Sequence, residues 1–355
     1  MSPLKLSQLG ELSLLKEIRG RFVTKSKDVV VGIGDDAAVL KPRDEYLLVT
    51  TDMMVEGVHF DLHFMTAYQL GFKLISVNVS DIYAMGGKPS SVLLDLAMDG
   101  NTTKKFVDSF FGGVKDALKL YGAALIGGDI SSSQETMAVA ATVIGHARKY
   151  VQRSGARAGD RIYVTGSLGD SACGLEILKK IGRSVPLHEG AGHDTRRGRR
   201  KGTAPRALRS VFSQLGLSWK IAEPLVDRHL LPVARSPKRA FQIATSMLDI
   251  SDGLLIDLSR LCDESGIGAR IFEEHIPVSL ELKEAAPKLG LDPLRLALSG
   301  GEDYELLFTA PAGKKIEAKC IGDVIESGRI LVDGRGGERR FHAEGYRHFS
   351  EKKEV

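Results

Sequence analysis

The chain has 355 residues, 43% of them hydrophobic and 26% charged, and a formal net charge of +4. That length exceeds one ordinary core and predicts two domains, with the composition of a soluble globular protein rather than a fibrous or disordered one. Three widely spaced cysteines, Cys173, Cys262 and Cys320, form no CxxC pair, which argues against a disulfide framework or a zinc site and fits a reducing, cytoplasmic setting.

Taken in chain order, the first signal is a helix over Gly10–Arg21, where Leu12, Leu15, Ile18 and Phe22 recur at helical spacing. Charged residues interrupt Met1–Phe22 throughout, so it does not read as a signal peptide. Strands are expected at Asp28–Ile33, Ala37–Lys41 and Tyr46–Thr51, and apolar runs of this kind are far shorter than a membrane span. A helix follows over Thr66–Ala84 with Leu70, Leu74, Val77 and Ile82 on one face, stopped at Gly86–Gly87. Next come a strand at Ser91–Met98, a helix capped by Thr102 and running to about Leu120, and strands at Ala123–Ile126 and Met137–Gly145.

The domain boundary is expected between Gly145 and Arg161, giving an N-terminal domain 1–147 and a C-terminal domain 148–355. The second half predicts a strand at Ile162–Thr165 and a helix after Gly166–Gly169 to about Ile181. Residues 183–203 lack periodicity and read as a basic insertion, with four arginines and one lysine within His193–Lys201. Such a run reads as a solvated loop rather than a nucleic-acid patch, and no RNA- or DNA-binding motif accompanies it. Further on are a strand at Ser246–Ile250, a helix from Ser251 or Asp252 to Ser265, a strand at Gly268–Phe272 and a helix around Ser279–Lys288. A strand at Tyr304–Thr309 and a hairpin over Val324–Val332 complete the set. Strands and helices intermix without a strict βαβ repeat, so the expected class is mixed α/β or α+β in two domains.

Several apolar runs end in small residues and then aspartate: Asp35–Asp36, Asp52, Asp81, Asp129, and Asp249 with Asp252. Singly, each has a structural alternative, Asp252 as a helix cap and Asp36 as a turn residue. Together they predict a rim of carboxylates, which stay ionised side by side only if cations neutralise them. Oxygen donors without cysteine or paired histidine suit Mg²⁺ or Mn²⁺. His59 and His63 lie four apart, but Phe60 stands where an HExxH motif needs glutamate. Glycine doublets precede acids at Gly127–Gly128–Asp129 and Gly300–Gly301–Glu302. They read either as tight turns or as places where backbone approaches a phosphate. There is no GxxxxGK[ST], no dinucleotide fingerprint and no protein-kinase motif set.

Ten segments in register then carry a resemblance over nearly the whole chain, among them GIGDDAA (Gly32–Ala38), TTDMMVEGVHF (Thr50–Phe60), NVSDIYAMGGKP (Asn78–Pro89), RSGARAGD (Arg153–Asp160), DISDGL (Asp249–Leu254), SGGEDYELLF (Ser299–Phe308) and GYRHF (Gly345–Phe349). The chain resembles the thiamine-monophosphate kinases, relatives of aminoimidazole ribonucleotide synthetase and selenophosphate synthetase. The resemblance implies a two-domain aminoimidazole ribonucleotide synthetase-like fold and a homodimer with an intersubunit β-barrel. It implies phosphorylation of thiamine monophosphate to thiamine diphosphate by ATP, with several Mg²⁺ ions and in-line transfer. It also implies Mg²⁺ contacts from Asp36, Thr50, Thr51, Asp52, Asp81, Asp129, Asp249 and Asp252. ATP would meet Gly128, Asp129, Arg153, Ser251 and Phe111, and the thiamine end would meet His59, Glu302 and Tyr346. The acceptor is already an ionised phosphate, so no residue is assigned as general base. No nucleic-acid or membrane partner is expected. A basic binding protein working through Arg196–Lys201 is the alternative from another class.

Overall fold

The computed structural model describes residues 29–31, 35–41, 45–182, 212–237, 240–314 and 316–348. The predicted helix at Gly10–Arg21 and the basic insertion lie outside these residues. The first sheet contains β1 (Val29–Val31), β2 (Ala38–Leu40), β3 (Tyr46–Val55), β4 (Lys88–Met98), β5 (Ala124–Ser132) and β6 (Ala138–Ala147), in the order β1-β2-β3-β6-β4-β5. Only its β4–β5 pairing is parallel. β3 and β6 form a long ladder from Tyr46 opposite Ala147 to Val55 opposite Ala138. Alternation along β3 buries Leu48, Thr50 and Met54 beneath the helices and turns Thr51 and Met53 to the opposite face.

Two helices cover one face of this sheet: α1 (Ala67–Ala84) and α2 (Lys104–Tyr121). A capping box starts α1, the Thr66 side chain accepting from Gln69 N–H while Gln69 Oε1 accepts from Thr66 N–H at 2.9 Å. The helix α2 is capped by Thr103, one residue beyond the expected Thr102, and stops at Gly122 with φ +70°. The two helices approach so closely that a Cβ on Gly113 would lie 1.9 Å from the Tyr68 carbonyl.

The strand at Ala123–Ile126 is longer than expected. β5 runs straight through Gly127–Gly128–Asp129, so this doublet is strand, not turn. Gly128 has φ +147° and its missing side chain admits the Leu94 carbonyl, where a Cβ would sit 1.8 Å away. This crowding beside the bulge in the β4–β5 pairing accounts for the glycine without any phosphate.

The second sheet has the order β13-β12-β9-β11-β7-β10-β8. Its strands are β7 (Asp160–Val164), β8 (Ser246–Asp249), β9 (Gly268–Phe272), β10 (Leu306–Pro311), β11 (Lys319–Ile325), β12 (Arg329–Val332) and β13 (Glu338–Arg340). The expected hairpin over Val324–Val332 is not one. β9 lies between β11 and β12, antiparallel to the first and parallel to the second. Around the sheet are α3 (Asp170–Gly182), α4 (Trp219–Leu230), α5 (Ala240–Ile243), α6 (Leu254–Ser265), α7 (Leu280–Lys288) and α8 (Pro293–Ser299). Leu254, Leu255, Leu258 and Leu261 of α6 share a core with Ile162, Val164, Leu307 and Ile321 of the strands. Helices α3, α4 and α7 pack together, and their buried residues join the same apolar cluster as α1 and α2. The halves also meet through a buried polar bond, Ser80 Oγ donating to Asp249 Oδ2 at 2.5 Å.

Candidate active site

A cleft of about 1300 Å³ lies between the sheets, and most of the sequence-predicted residues line it: Asp36, Thr50, Thr51, Asp52, His59, Asp81, Arg153, Asp249, Ser251, Asp252, Glu302 and Tyr346. Each arrives by a different element. Thr50 and Asp52 sit in β3, Asp81 in the last turn of α1, and Asp249 at the end of β8. Asp252 precedes α6, whose N-cap is Gly253 rather than Asp252. The backbone N–H groups of Asp252 and Gly253 donate instead to Asp257 Oδ2, each at 3.1 Å.

Carboxylate oxygens of Asp36, Asp81 and Asp249 lie within 4.8 Å of one another. Burial pushes Asp81 well above the usual carboxylate range, and the charges of Asp52, Asp249 and Asp36 push it further, against a 2.6 Å bond from Thr50 Oγ1. Asp249 is raised in the same way, by burial and by Asp36. Asp52 reaches about 6 through burial and the charges of Asp252 and Asp36, and Asp35 about 7 through burial and Asp36. Two arginines offset part of this crowding. Arg153 grips Asp36 through Nε at 3.1 Å and Nη2 at 2.8 Å, and its backbone N–H donates to Asp35. Arg260 Nη1 lies 2.6 Å from Asp252 Oδ2 and 2.8 Å from Asp257 Oδ1. The excess negative charge that remains, presented by oxygens alone, is the donor set a hard divalent cation such as Mg²⁺ takes. Thr51 lines the cleft too, and its hydroxyl donates to the Ala141 carbonyl at 3.1 Å.

The acceptor-side residues form a second group. Val55 N–H donates to His59 Nδ1 at 3.1 Å, which leaves the proton of the neutral ring on Nε2. Burial, followed by the nearby His348, lowers the His59 pKa and keeps the ring neutral. The rings of His59 and His348 are 5.1 Å apart, and those of Tyr346 and His348 are 4.9 Å apart in an edge-on arrangement. Tyr346 N–H donates to the Asp252 carbonyl at 3.0 Å, tying the C-terminal segment to the start of α6. Glu302 lines the same cleft with φ +65°, a conformation few non-glycine residues adopt.

Gly128, Asp129 and Phe111 do not line this cleft. Gly128 and Asp129 are exposed on β5 at the sheet edge, where Asp129 N–H donates to Asp95 Oδ1 at 3.1 Å. Phe111 packs on the core from α2, 5.5 Å from the Phe110 ring. Asp35, read with Asp36 as part of the acidic rim, lines the cleft as well. Sequence reasoning overlooked Arg260, His229 and His348 as members of the cleft or of its support. His229 and Arg260 stand on helices with no local motif to mark them.

Comparison with known proteins agrees with this geometry. Residues 34–147 match the family described as AIR synthase related protein, N-terminal domain, and residues 157–332 match its C-terminal domain. A thiamine-monophosphate kinase of Aquifex aeolicus (strain VF5) is 35% identical over 351 residues, covering 98% of this chain and 100% of that protein. A thiamine-monophosphate kinase of Escherichia coli (strain K12) is 33% identical, covering 96% of this chain and 98% of that protein. The solved structure of AaThiL complexed with AMPPCP and TMP superposes with a TM-score of 0.81 at 33% identity, over 98% of this chain and 100% of that one. Identity at this level across both domains shows that the chain belongs to the thiamine-monophosphate kinase family and is a kinase.

Proposed function

We propose that the cleft transfers the γ-phosphoryl group of ATP to thiamine monophosphate, giving thiamine diphosphate and ADP. The carrying observation is that the crowded carboxylates Asp36, Asp81 and Asp249 share one cleft with His59, Glu302 and Tyr346. The solved relative AaThiL was complexed with AMPPCP and TMP, an ATP analogue and the acceptor.

Asp36, Asp52, Asp81, Asp249 and Asp252, with Thr50 beside them, would hold Mg²⁺. Bound there, such ions neutralise the repulsion between two polyanions and the charge that spreads over the transferring group. The chain's own residues do the rest. Arg153 presents its guanidinium and Ser251 its position beside Asp252 to the nucleotide phosphates. His59 offers its Nε2–H to the acceptor, Glu302 faces the thiazolium cation, and the Tyr346 ring stacks on it, a contact worth ~0.5–2 kcal/mol. The acceptor phosphate is ionised at neutral pH, so in-line attack needs no base.

The sites of Gly128 and Asp129 come from a second copy. β5 is an edge strand with every residue exposed, and Ile126 and Ile130 show 59% and 67% of their surfaces. A bare apolar edge of this kind calls for pairing. A two-fold dimer joined there would cover it and carry Asp129 toward the partner's cleft; the adenine role of Phe111 rests on the resemblance alone. The domains divide at residues 147–148, and the protein works in the cytoplasm.

The test is product formation. Purified protein with Mg-ATP and thiamine monophosphate is expected to yield thiamine diphosphate and ADP in equal amounts; ATP turnover without that product overturns the assignment. Mixing Asp52→Asn with Asp129→Asn chains is expected to restore activity that neither has alone, because one site of each mixed dimer is then intact. Light scattering that shows a monomer would remove the dimer.

A further inference from the structure

A lysine on the apolar face of α1 needs an explanation. Lys73 stands three residues after Leu70 and four before Val77, and its side chain is 0% exposed. An ammonium is buried so completely only against a partner. Here the partner is Glu302, whose Oε1 lies 2.9 Å from Lys73 Nζ. The other carboxylate oxygen, Oε2, is 3.1 Å from Nδ1 of His229 on α4, itself almost wholly buried. The same Nδ1 lies 3.2 Å from Ser171 Oγ on α3. Burial, followed by the charge of Lys73, lowers the His229 pKa, so the ring is neutral and its Nδ1–H donates to Glu302. Both oxygens of one glutamate are therefore gripped from behind, by α1 and by the α3–α4 layer.

The backbone of Glu302 is pinned as firmly. Its N–H donates to the Ser251 carbonyl at 2.7 Å, and a Cβ on Gly301 would lie 2.5 Å from that same oxygen. Glu302 and Tyr304 both have positive φ, 65° and 50°. Strain of this kind persists only where the surroundings over-determine it, and it gathers at functional positions. A buried ion pair is itself weak evidence for stability, since well-packed apolar residues often replace one without loss. Stability alone does not account for the arrangement. Glu302, unlike Lys73, keeps 28% of its side chain exposed and lines the cleft, so a ligand meets the negative end of the pair first.

We propose that Lys73 and His229 are positioning residues for acceptor recognition, holding the Glu302 carboxylate as an oriented anion against the cationic heteroaromatic ring of the acceptor. This rests on the acceptor reading given above. Three groups face Glu302 besides its own loop: Lys73 from α1, His229 from α4 and His59 from the turn after β3. Tyr304, two residues on, also feels its charge. Burial alone would raise the Glu302 pKa; Lys73 and His229 outweigh it and hold the group well below the ordinary range.

Kinetics and calorimetric binding of thiamine monophosphate to the full chain decide the matter, with Lys73→Met, Lys73→Arg and the double variant Lys73→Met/Glu302→Gln. Lys73→Met is expected to weaken acceptor binding at least tenfold while the KM for ATP stays within twofold. Acceptor KM in that variant is also expected to climb more steeply than in the wild type as pH falls below neutrality, because the uncompensated Glu302 takes up a proton. Lys73→Arg restores part of the affinity. If Lys73→Met fails to fold, the neutral double variant keeps the test open, and it should fold yet retain the weakened acceptor binding. Equal changes for ATP and acceptor, or an acceptor KM with unmoved pH profile, overturn the proposal. Lys73-dependent binding of thiamine monophosphate without turnover would instead break the assigned reaction and leave this inference standing.

Discussion

Around Asp81, acidic groups are packed against one another with two arginines to share; around Glu302, one carboxylate is enclosed by a lysine and a histidine. Burial works to raise the carboxyl pKa at both, yet the outcomes are opposite. Asp81 and Asp249 are pushed well above the ordinary carboxylate range by burial and by each other's neighbours. Glu302 is held well below it, because Lys73 and His229 outweigh the cost of burial. The lesson concerns where the missing cation comes from. At Glu302 the chain supplies it, through Lys73, so the charge is fixed. At the aspartate cluster the chain falls short, and under the proposed function cations from solution would make up the difference.

The largest expected effect comes from removing one of the crowded acids. Asp249→Asn keeps an acceptor for Ser80 Oγ but deletes a buried charge. Turnover should fall about 10³-fold, equivalent to about 4 kcal/mol of transition-state stabilisation. The metal-free variant should melt no lower than the wild type, since repulsion has been relieved. Mg²⁺ should raise the wild-type melting temperature and raise the variant's less. A variant with near-normal rates at low Mg²⁺ would remove Asp249 from the metal site.

The matching change on the other side should hurt stability first. Glu302→Gln leaves Lys73 Nζ buried without its counter-charge, which costs roughly 3–5 kcal/mol when one partner of a buried pair is deleted. Denaturant unfolding checks this. If Glu302→Gln costs under about 1 kcal/mol, the contrast between the two regions collapses, because the pair would then be little more than a surface bridge.

How much of this was legible in the sequence depended on whether the cause was local. The start of α1 was readable because Thr66 and Gln69 form the capping box between themselves. The burial of Lys73 was not legible, because its partner Glu302 lies far along the chain. The aspartates at Asp36, Asp52, Asp81, Asp249 and Asp252 were readable because each ends an apolar run, and the two halves bring those ends to one cleft. The course of β5 was not, since Gly127–Gly128 looks like a turn and only the neighbouring Leu94 backbone makes it strand. The order of β9, β11 and β12 was hidden for the same reason: pairing partners are chosen by the whole sheet. Short α8 carried its Pro293 start signal after the Asp292 cap but too few turns to show a period.

A subtler check uses pH on a carboxylate beside Glu302 that holds no ligand role. Burial raises Asp303 from 3.8 to about 7, against the pull of Arg228 and the N–H groups of Gly169 and Ser171. Its folded pKa lies above the unfolded value, so between about pH 4 and 7 the folded state holds a proton the unfolded state has released. Stability therefore declines as pH rises through that window, by at most about 1.4 kcal/mol per pH unit from this group. Asp303→Asn should flatten that part of the profile, and an unchanged slope would show that the group ionises as freely folded as unfolded.

The smallest effect expected is none, and it bears on the source of positive charge for the nucleotide. Residues 190–202 hold four arginines and one lysine but no periodic apolar residues that would seat them in a core. If the aspartate cluster recruits its cations from solution, ATP's charge is met inside the cleft by those ions and by Arg153, and the basic run is dispensable. Deleting residues 190–202 should then leave kcat and the KM for ATP within about twofold, a difference of about 0.4 kcal/mol. Titrating Mg²⁺ across both proteins sharpens the measurement. A deletion variant that folds, yet needs far more Mg²⁺ or ATP to reach the same rate, would mean the chain does supply cations of its own to the acidic side. The two regions would then differ in degree and not in kind.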